Sequence, residues 1–169
     1  VQVVGEVAFP GVYTVPPFST VGTSLLSAGG VTISGSLRDV RVLRDDEIVN
    51  SIDYYKLFLE GQSNTDFRIL NGDVIFVPVR ISTVEISGEV SRSGIYELLP
   101  GEYIDQLISY AGGLKVTAGL TVELKRIIDR EERESDDNAV IVSYLDVKSL
   151  NPHEVLDGDQ IWIKNIMEV

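Results

Sequence analysis

The sequence predicts an α+β chain of two tandem domains, each a mixed sheet wrapped around one main helix. Three observations predict it. The chain repeats itself at a domain-sized offset, each repeat runs through the same order of hairpin, helix and strands, and each closes on an apolar strand.

The repeat comes first. "VVGEVAFPGVYTV" (3–15) returns as "ISGEVSRSGIYEL" (86–98), and "LLSAGGVTISGSL" (25–37) as "LISYAGGLKVTAGL" (107–120). Gly5, Gly11, Tyr13 and Ala28-Gly29-Gly30 map onto Gly88, Gly94, Tyr96 and Ala111-Gly112-Gly113 at a constant offset of 83. "LNGDVIFVP" (70–78) returns as "LDGDQIWIK" (156–164), the offset having grown to 86 through insertions. Two copies of this length are domains rather than solenoid units, with expected bounds 1–80 and 81–169. The link "VRIST" (79–83) has no flexible Gly/Ser/Pro tract, so a restricted angle between the copies is expected.

Within one copy, the Val-rich start and "VYTV" read as strands around the turn residues "FPG" (9–11), a hairpin. Ser19 and Thr20 offer helix N-caps. Val21, Leu25 and Ala28 share a helical face with Leu26 at its margin, and Gly29-Gly30 end the helix. "DVRVLR" (39–44) alternates as a strand with one wet face. "EIVNSIDYYKLFLEG" reads as a strand through Ile52 and a short helix over Tyr54–Leu59, ended by Gly61. "LNGDVIFVP" reads as a turn and a central strand buried on both faces. Copy two follows the same order, with its helix at 102–111 and a weaker second helix because of Pro152. Leu25, Leu26, Leu107 and Ile108 are expected in the helix–sheet cores. Hairpin, one helix across a sheet and a buried last strand describe a β-grasp topology, with first and last strands parallel at the sheet centre.

Composition bounds the partners. The net charge is −12, shared as −3 over 1–80 and −9 over 81–169. That opposes nucleic acid, which needs a basic footprint, and opposes direct contact of this chain with an anionic membrane surface. No apolar run reaches a membrane span, and the absence of cysteine removes disulfide and thiolate chemistry. The chain opens on a strand without Met, as a piece of a longer protein would.

No catalytic constellation is visible. His153 is the single histidine, expected in a loop, and no Gly-x-Ser-x-Gly elbow or phosphate-binding glycine loop occurs. No catalytic, cofactor or metal site is therefore expected. The acidic run 129–138 lacks calcium-loop spacing and reads as a solvated hairpin loop. Asp73 and Asp159 stand in Asn/Asp-Gly-Asp turns, where such side chains bond their own backbone. Tyr13 and Tyr96 occupy equivalent positions and share a structural role. Phe9, Phe18, Tyr54 and Tyr55 have no aromatic counterpart in copy two, which marks them for a subunit interface, for packing within the chain, or for glycan contact.

The ordered set "V-x-V-x-G-E-V…P-G-x-Y", an apolar helix ending "A-G-G", "LRDVRVLR", "I-D-Y-Y-K-L" and "L-x-N-G-D-V-I-F-V-P" resembles the soluble ligand-binding β-grasp (SLBB) repeat. Its tandem arrangement is similar to that of the outer-membrane polysaccharide export family. Copy two departs where Ser93 replaces Pro10 and in the tail "YLDVKSLNPHE". The resemblance implies a periplasmic part of an outer-membrane-associated channel for capsular or exopolysaccharide. Its expected partners are the polysaccharide, further copies of itself in a homo-oligomeric ring, and an inner-membrane polysaccharide co-polymerase. The alternatives are a small-molecule-binding β-grasp module, which a defined apolar pocket would favour, and a glycan-processing enzyme, which two facing carboxylates would favour.

Overall fold

The computed structural model describes residues 1–151 and 153–167, with the backbone alone for Asp137. The chain divides into two compact units, Val1–Ile81 and Ser82–Val169. Each carries one five-stranded mixed sheet.

Domain 1 runs β1 (Gln2–Gly5), β2 (Gly11–Val12), α1 (Val21–Ser27), β3 (Val40–Arg44), β4 (Glu47–Ile52), α2 (Tyr54–Phe58) and β5 (Val74–Val77). Its sheet order is β2-β1-β5-β3-β4. β1 and β5 are parallel, with Gln2 opposite Val74 and Gly5 opposite Val77; the other pairs are antiparallel. Domain 2 runs β6 (Thr83–Gly88), β7 (Gly94–Glu97), α3 (Ile104–Tyr110), β8 (Ala118–Ile127), β9 (Val140–Asp146) and β10 (Gln160–Asn165). Its order, β7-β6-β10-β8-β9, repeats the first, again with the first and last strands parallel.

Local chemistry sets the helices. Thr20 caps α1: its hydroxyl accepts from the Thr23 N–H, and the Thr23 hydroxyl accepts from the Thr20 N–H at 2.9 Å. After α1 and α3 the chain passes through Gly29-Gly30 and Gly112-Gly113, all four at positive φ. α3 spans 104–110 rather than the expected 102–111, because Tyr103 is its extended N-cap. The weaker second helix of copy two is a single 3-10 turn, Val147–Ser149; Pro152 lies outside the described residues. The acidic connection between β8 and β9 carries two short 3-10 turns, and its described acidic side chains are exposed.

One glycine in each sheet lets its first and last strands close. Gly5 and Gly88 sit at φ near +89° and +85°, where a Cβ would stand 2.1 Å from the carbonyl oxygen of Val77 or Ile163. The absence of a side chain lets the parallel strands close, and the next N–H then donates to that carbonyl, Glu6 to Val77 at 2.9 Å and Glu89 to Ile163 at 3.0 Å.

The cores correct two expectations. Val21, Ser24, Leu25 and Ala28 form the buried stripe of α1, but Leu26 is 76% exposed. Adjacent helical positions are about 100° apart, and only one side of α1 rests on the sheet. In α3 both Leu107 and Ile108 are buried. Second, β5 and β10 are not buried on both faces. Ile75, Val77, Ile161 and Ile163 point under the helices, whereas Val74, Phe76 and Trp162 are only half-buried. A single helix layer covers one face of each sheet, and the other face is left open.

Two ion pairs, each joining a buried aspartate to a partly exposed arginine, anchor the closing strands. Arg44 bonds Asp73 through two donors at 2.8 and 2.9 Å. Arg126 bonds Asp159 through Nε at 3.0 Å and Nη2 at 2.7 Å. Each aspartate also accepts from its own turn, from Leu70 N–H at 2.8 Å and Leu156 N–H at 2.9 Å, as its Asx-turn spacing predicts. The arginine holds the Asp73 carboxyl below the ordinary aspartate range.

Candidate functional site: an open sheet face and a helical crevice

Strand register lines up the open face of domain 2. Ser87 on β6, Trp162 on β10, Glu123 on β8 and Tyr144 on β9 stand in one row across the sheet. Glu85, Gln160, Lys125 and Val142 form the row beside it. Together Glu85, Ser87, Glu123, Lys125, Gln160 and Trp162 line an open cavity of about 310 Å³. Lys125 Nζ lies 3.3 Å from a Glu123 carboxylate oxygen. The Lys164 ammonium sits over two rings at once, 5.0 Å from the centroid of Tyr144 and 5.5 Å from that of Trp162. An indole face bordered by carboxylates, an amide, a hydroxyl and ammonium groups can stack on an apolar ring face and hydrogen-bond the groups at its edge.

Domain 1 presents the same platform with different trim. Phe76 aligns with Trp162 in the repeat, and its β3 neighbour Arg41, ion-paired to Asp39, stands where Glu123 stands in domain 2.

The four aromatic residues singled out in the sequence are not gathered into one site. Phe9 is 67% exposed at the hairpin loop, where its ring lies over Gly29; Arg92 holds the matching place over Gly112 and donates to the Tyr110 carbonyl at 3.0 Å. Phe18 is 73% exposed at the other end of α1, under the Arg68 guanidinium at 4.4 Å, and has a positive φ of 70°. Tyr54 and Tyr55 correct the interface and glycan readings and follow the packing one, because both are buried within domain 1. Tyr54 stacks on Phe58 and donates to Asp66 at 3.0 Å; Tyr55 lies under Arg38 at 4.7 Å. An amphipathic "DYYKLF" helix capped by Asp53 turns its tyrosines inward and leaves Phe58 outside. Tyr13 and Tyr96 do share one structural role, each hydroxyl donating to the carbonyl four residues earlier and closing its hairpin loop.

On the helical side of domain 1, α1 and α2 flank a crevice of about 380 Å³ with Leu25, Val31, Leu37 and Tyr54 among its walls. Leu26 and Phe58, both largely exposed, form its rims. Among the described residues no group of three or more acidic or histidine side chains is placed to share a metal ion. No helix among them is long and apolar enough to cross a membrane.

The fold and its open faces define the class: tandem β-grasp-like α+β modules that present surfaces for binding. The SLBB-domain family model matches residues 1–51 and 83–132, once in each repeat. The chain belongs to that family, a family of ligand-binding modules. No curated protein matches the chain.

Proposed function

We propose that the chain is a periplasmic, structural and glycan-contacting part of a polysaccharide export machine, repeated around a homo-oligomeric ring and doing no covalent chemistry. The observation that carries this reading is the Trp162 face of domain 2, an aromatic platform with hydrogen-bonding groups on its borders. A pyranose displaces the Lys164 ammonium from over the indole and lays its C–H face there, while Glu85, Gln160 and Lys125 meet its hydroxyls. Membership in the SLBB family, whose domains are common in polysaccharide export proteins, supports the export setting. An inner-membrane co-polymerase would hand the chain on to such a ring.

Weak contact suits transport. A single aromatic platform contributes about 0.5–1.5 kcal/mol, so a passing chain is guided and released rather than held. Trp162 is the sole tryptophan, so its emission reports directly on the face. Titration with neutral, uronate-containing and amino-sugar-containing polysaccharides should shift that emission for at least one of them. The same polysaccharide in a native gel should retard the protein, with Trp162→Ala weakening retardation by roughly 2- to 12-fold. Unchanged emission and mobility with every polysaccharide would remove the glycan reading. The export reading is tested separately, by loss of surface polysaccharide when the gene is deleted in its native host.

A further inference from the structure

We propose that the crevice between α1 and α2 of domain 1 is a binding site for a small apolar ligand bearing an ammonium group. This site is independent of the open sheet face.

Its apolar part is built rather than incidental. Leu26 and Phe58 stand on its rims, and the Phe58 ring is braced by stacking on Tyr54 with centroids 5.4 Å apart and planes at 18°. Its polar end is Asp66. One carboxylate oxygen, Oδ1, accepts from the Gly22 N–H at 3.1 Å, the Tyr54 hydroxyl at 3.0 Å and the Phe67 N–H at 3.0 Å. The other, Oδ2, has no protein partner among the described residues. It lies 2.8 Å from where a Cβ on Gly22 would stand, so the glycine keeps a side chain out of its way. The carboxylate is thus anchored through one oxygen and offers the second. Burial and the Asp66 charge push the Tyr54 phenol well above its usual range, so its hydroxyl remains a donor to Oδ1.

The fold does not demand these residues. In the second repeat the places of Gly22 and Leu26 are held by Asp105 and Ser109. What points to a ligand is the combination in one crevice of two exposed apolar rims, Leu26 and Phe58, with a carboxylate anchored at its end. A cation is favoured over a neutral donor, because a charged pair forms the stronger hydrogen bond with the Asp66 carboxylate.

The test is methyl NMR of the full chain, with 2-phenylethylamine as probe and 3-phenylpropionate as its anionic counterpart. The amine should shift the Leu26, Leu57 and Val31 methyls saturably and bind at least about tenfold tighter than the acid. Leu26→Ser should weaken the amine several-fold without moving the urea midpoint, and Asp66→Asn should erase the difference between amine and acid. Should Asp66→Asn unfold the domain, the amine–acid contrast in the wild type and the Leu26→Ser result still decide. No saturable shift with the amine, equal affinity for amine and acid, or indifference to Leu26→Ser would each overturn the proposal.

Discussion

Replacing Gly88 by alanine tests how the sheet is closed. The residue sits at φ +85°, and an added Cβ would stand 2.1 Å from the Ile163 carbonyl oxygen and 2.8 Å from the Trp162 ring. Left-handed backbone costs an alanine about 1–2 kcal/mol. Relief of the clash requires β10 to retreat by roughly 1 Å, which takes the 3.0 Å bond from Glu89 N–H to Ile163 beyond useful range. Leaving that donor unmet costs about 1–3 kcal/mol more, for a total near 2–5 kcal/mol. Gly113 supplies the control, since it sits at φ +84° with nothing within 4 Å of an added Cβ. Gly113→Ala should show the backbone cost alone. Urea unfolding followed by Trp162 emission reads domain 2 directly. For a slope of about 1 kcal/mol/M, Gly88→Ala should lower the midpoint by about 2 M or more, or prevent folding, and Gly113→Ala by about 1–2 M. Equal shifts for the two variants would refute the argument from strand approach and leave only φ.

Two further outcomes follow from the packing and the ion pairs. Leu107→Ala, in the core of domain 2, should cost about 2–5 kcal/mol, while Leu26→Ser should stay within about 0.5 kcal/mol by urea unfolding; comparable losses would contradict the helix orientation. The Arg44 guanidinium, joined by the Leu70 N–H, holds the Asp73 carboxyl below its ordinary 3.8, so the folded state releases that proton more readily than the unfolded chain. The resulting stability is present above about pH 4 and is lost as pH falls through the lower folded value. Domain 1 methyl signals followed in urea should show a shallower acid loss for Arg44→Met than for the wild type, and parallel acid limbs would deny the pair that role.

Much of the fold was legible because it is written twice. Constant spacing of Gly5, Tyr13 and Ala28-Gly29-Gly30 against their partners gave the repeat, and turn and cap chemistry gave the order of elements. Helical periodicity alone could not choose between Leu25 and Leu26, since neighbouring positions both lie near the apolar arc and the sheet decides which is covered. The Arg44–Asp73 and Arg126–Asp159 pairs join strands that are distant in sequence, and local pattern carries no trace of them. The open face was missed because "VIFV" and "IWI" look apolar throughout, although strand alternation puts Phe76 and Trp162 on the side away from the helix. Their matched positions in the two repeats were the available signal. For Tyr54 and Tyr55 an aromatic pair without a counterpart left interface, internal packing and glycan contact all open, and burial against domain 1 decides for packing.

The parallel pairing of first and last strands also governs how the chain folds. Each sheet joins β1 to β5, or β6 to β10, across nearly the whole length of its repeat, so neither domain is complete until its final strand has been made. Such long closures raise contact order and slow folding. During that delay β1 of the first repeat waits beside a chain that will later produce a second closing strand of similar pattern, "LDGDQIWIK" after "LNGDVIFVP". Exchange of closing strands between the repeats is therefore the characteristic misfolding hazard of this architecture. Synthesis from the N-terminus lessens it, because β5 begins 86 residues before β10 (74 against 160) and can claim β1 first.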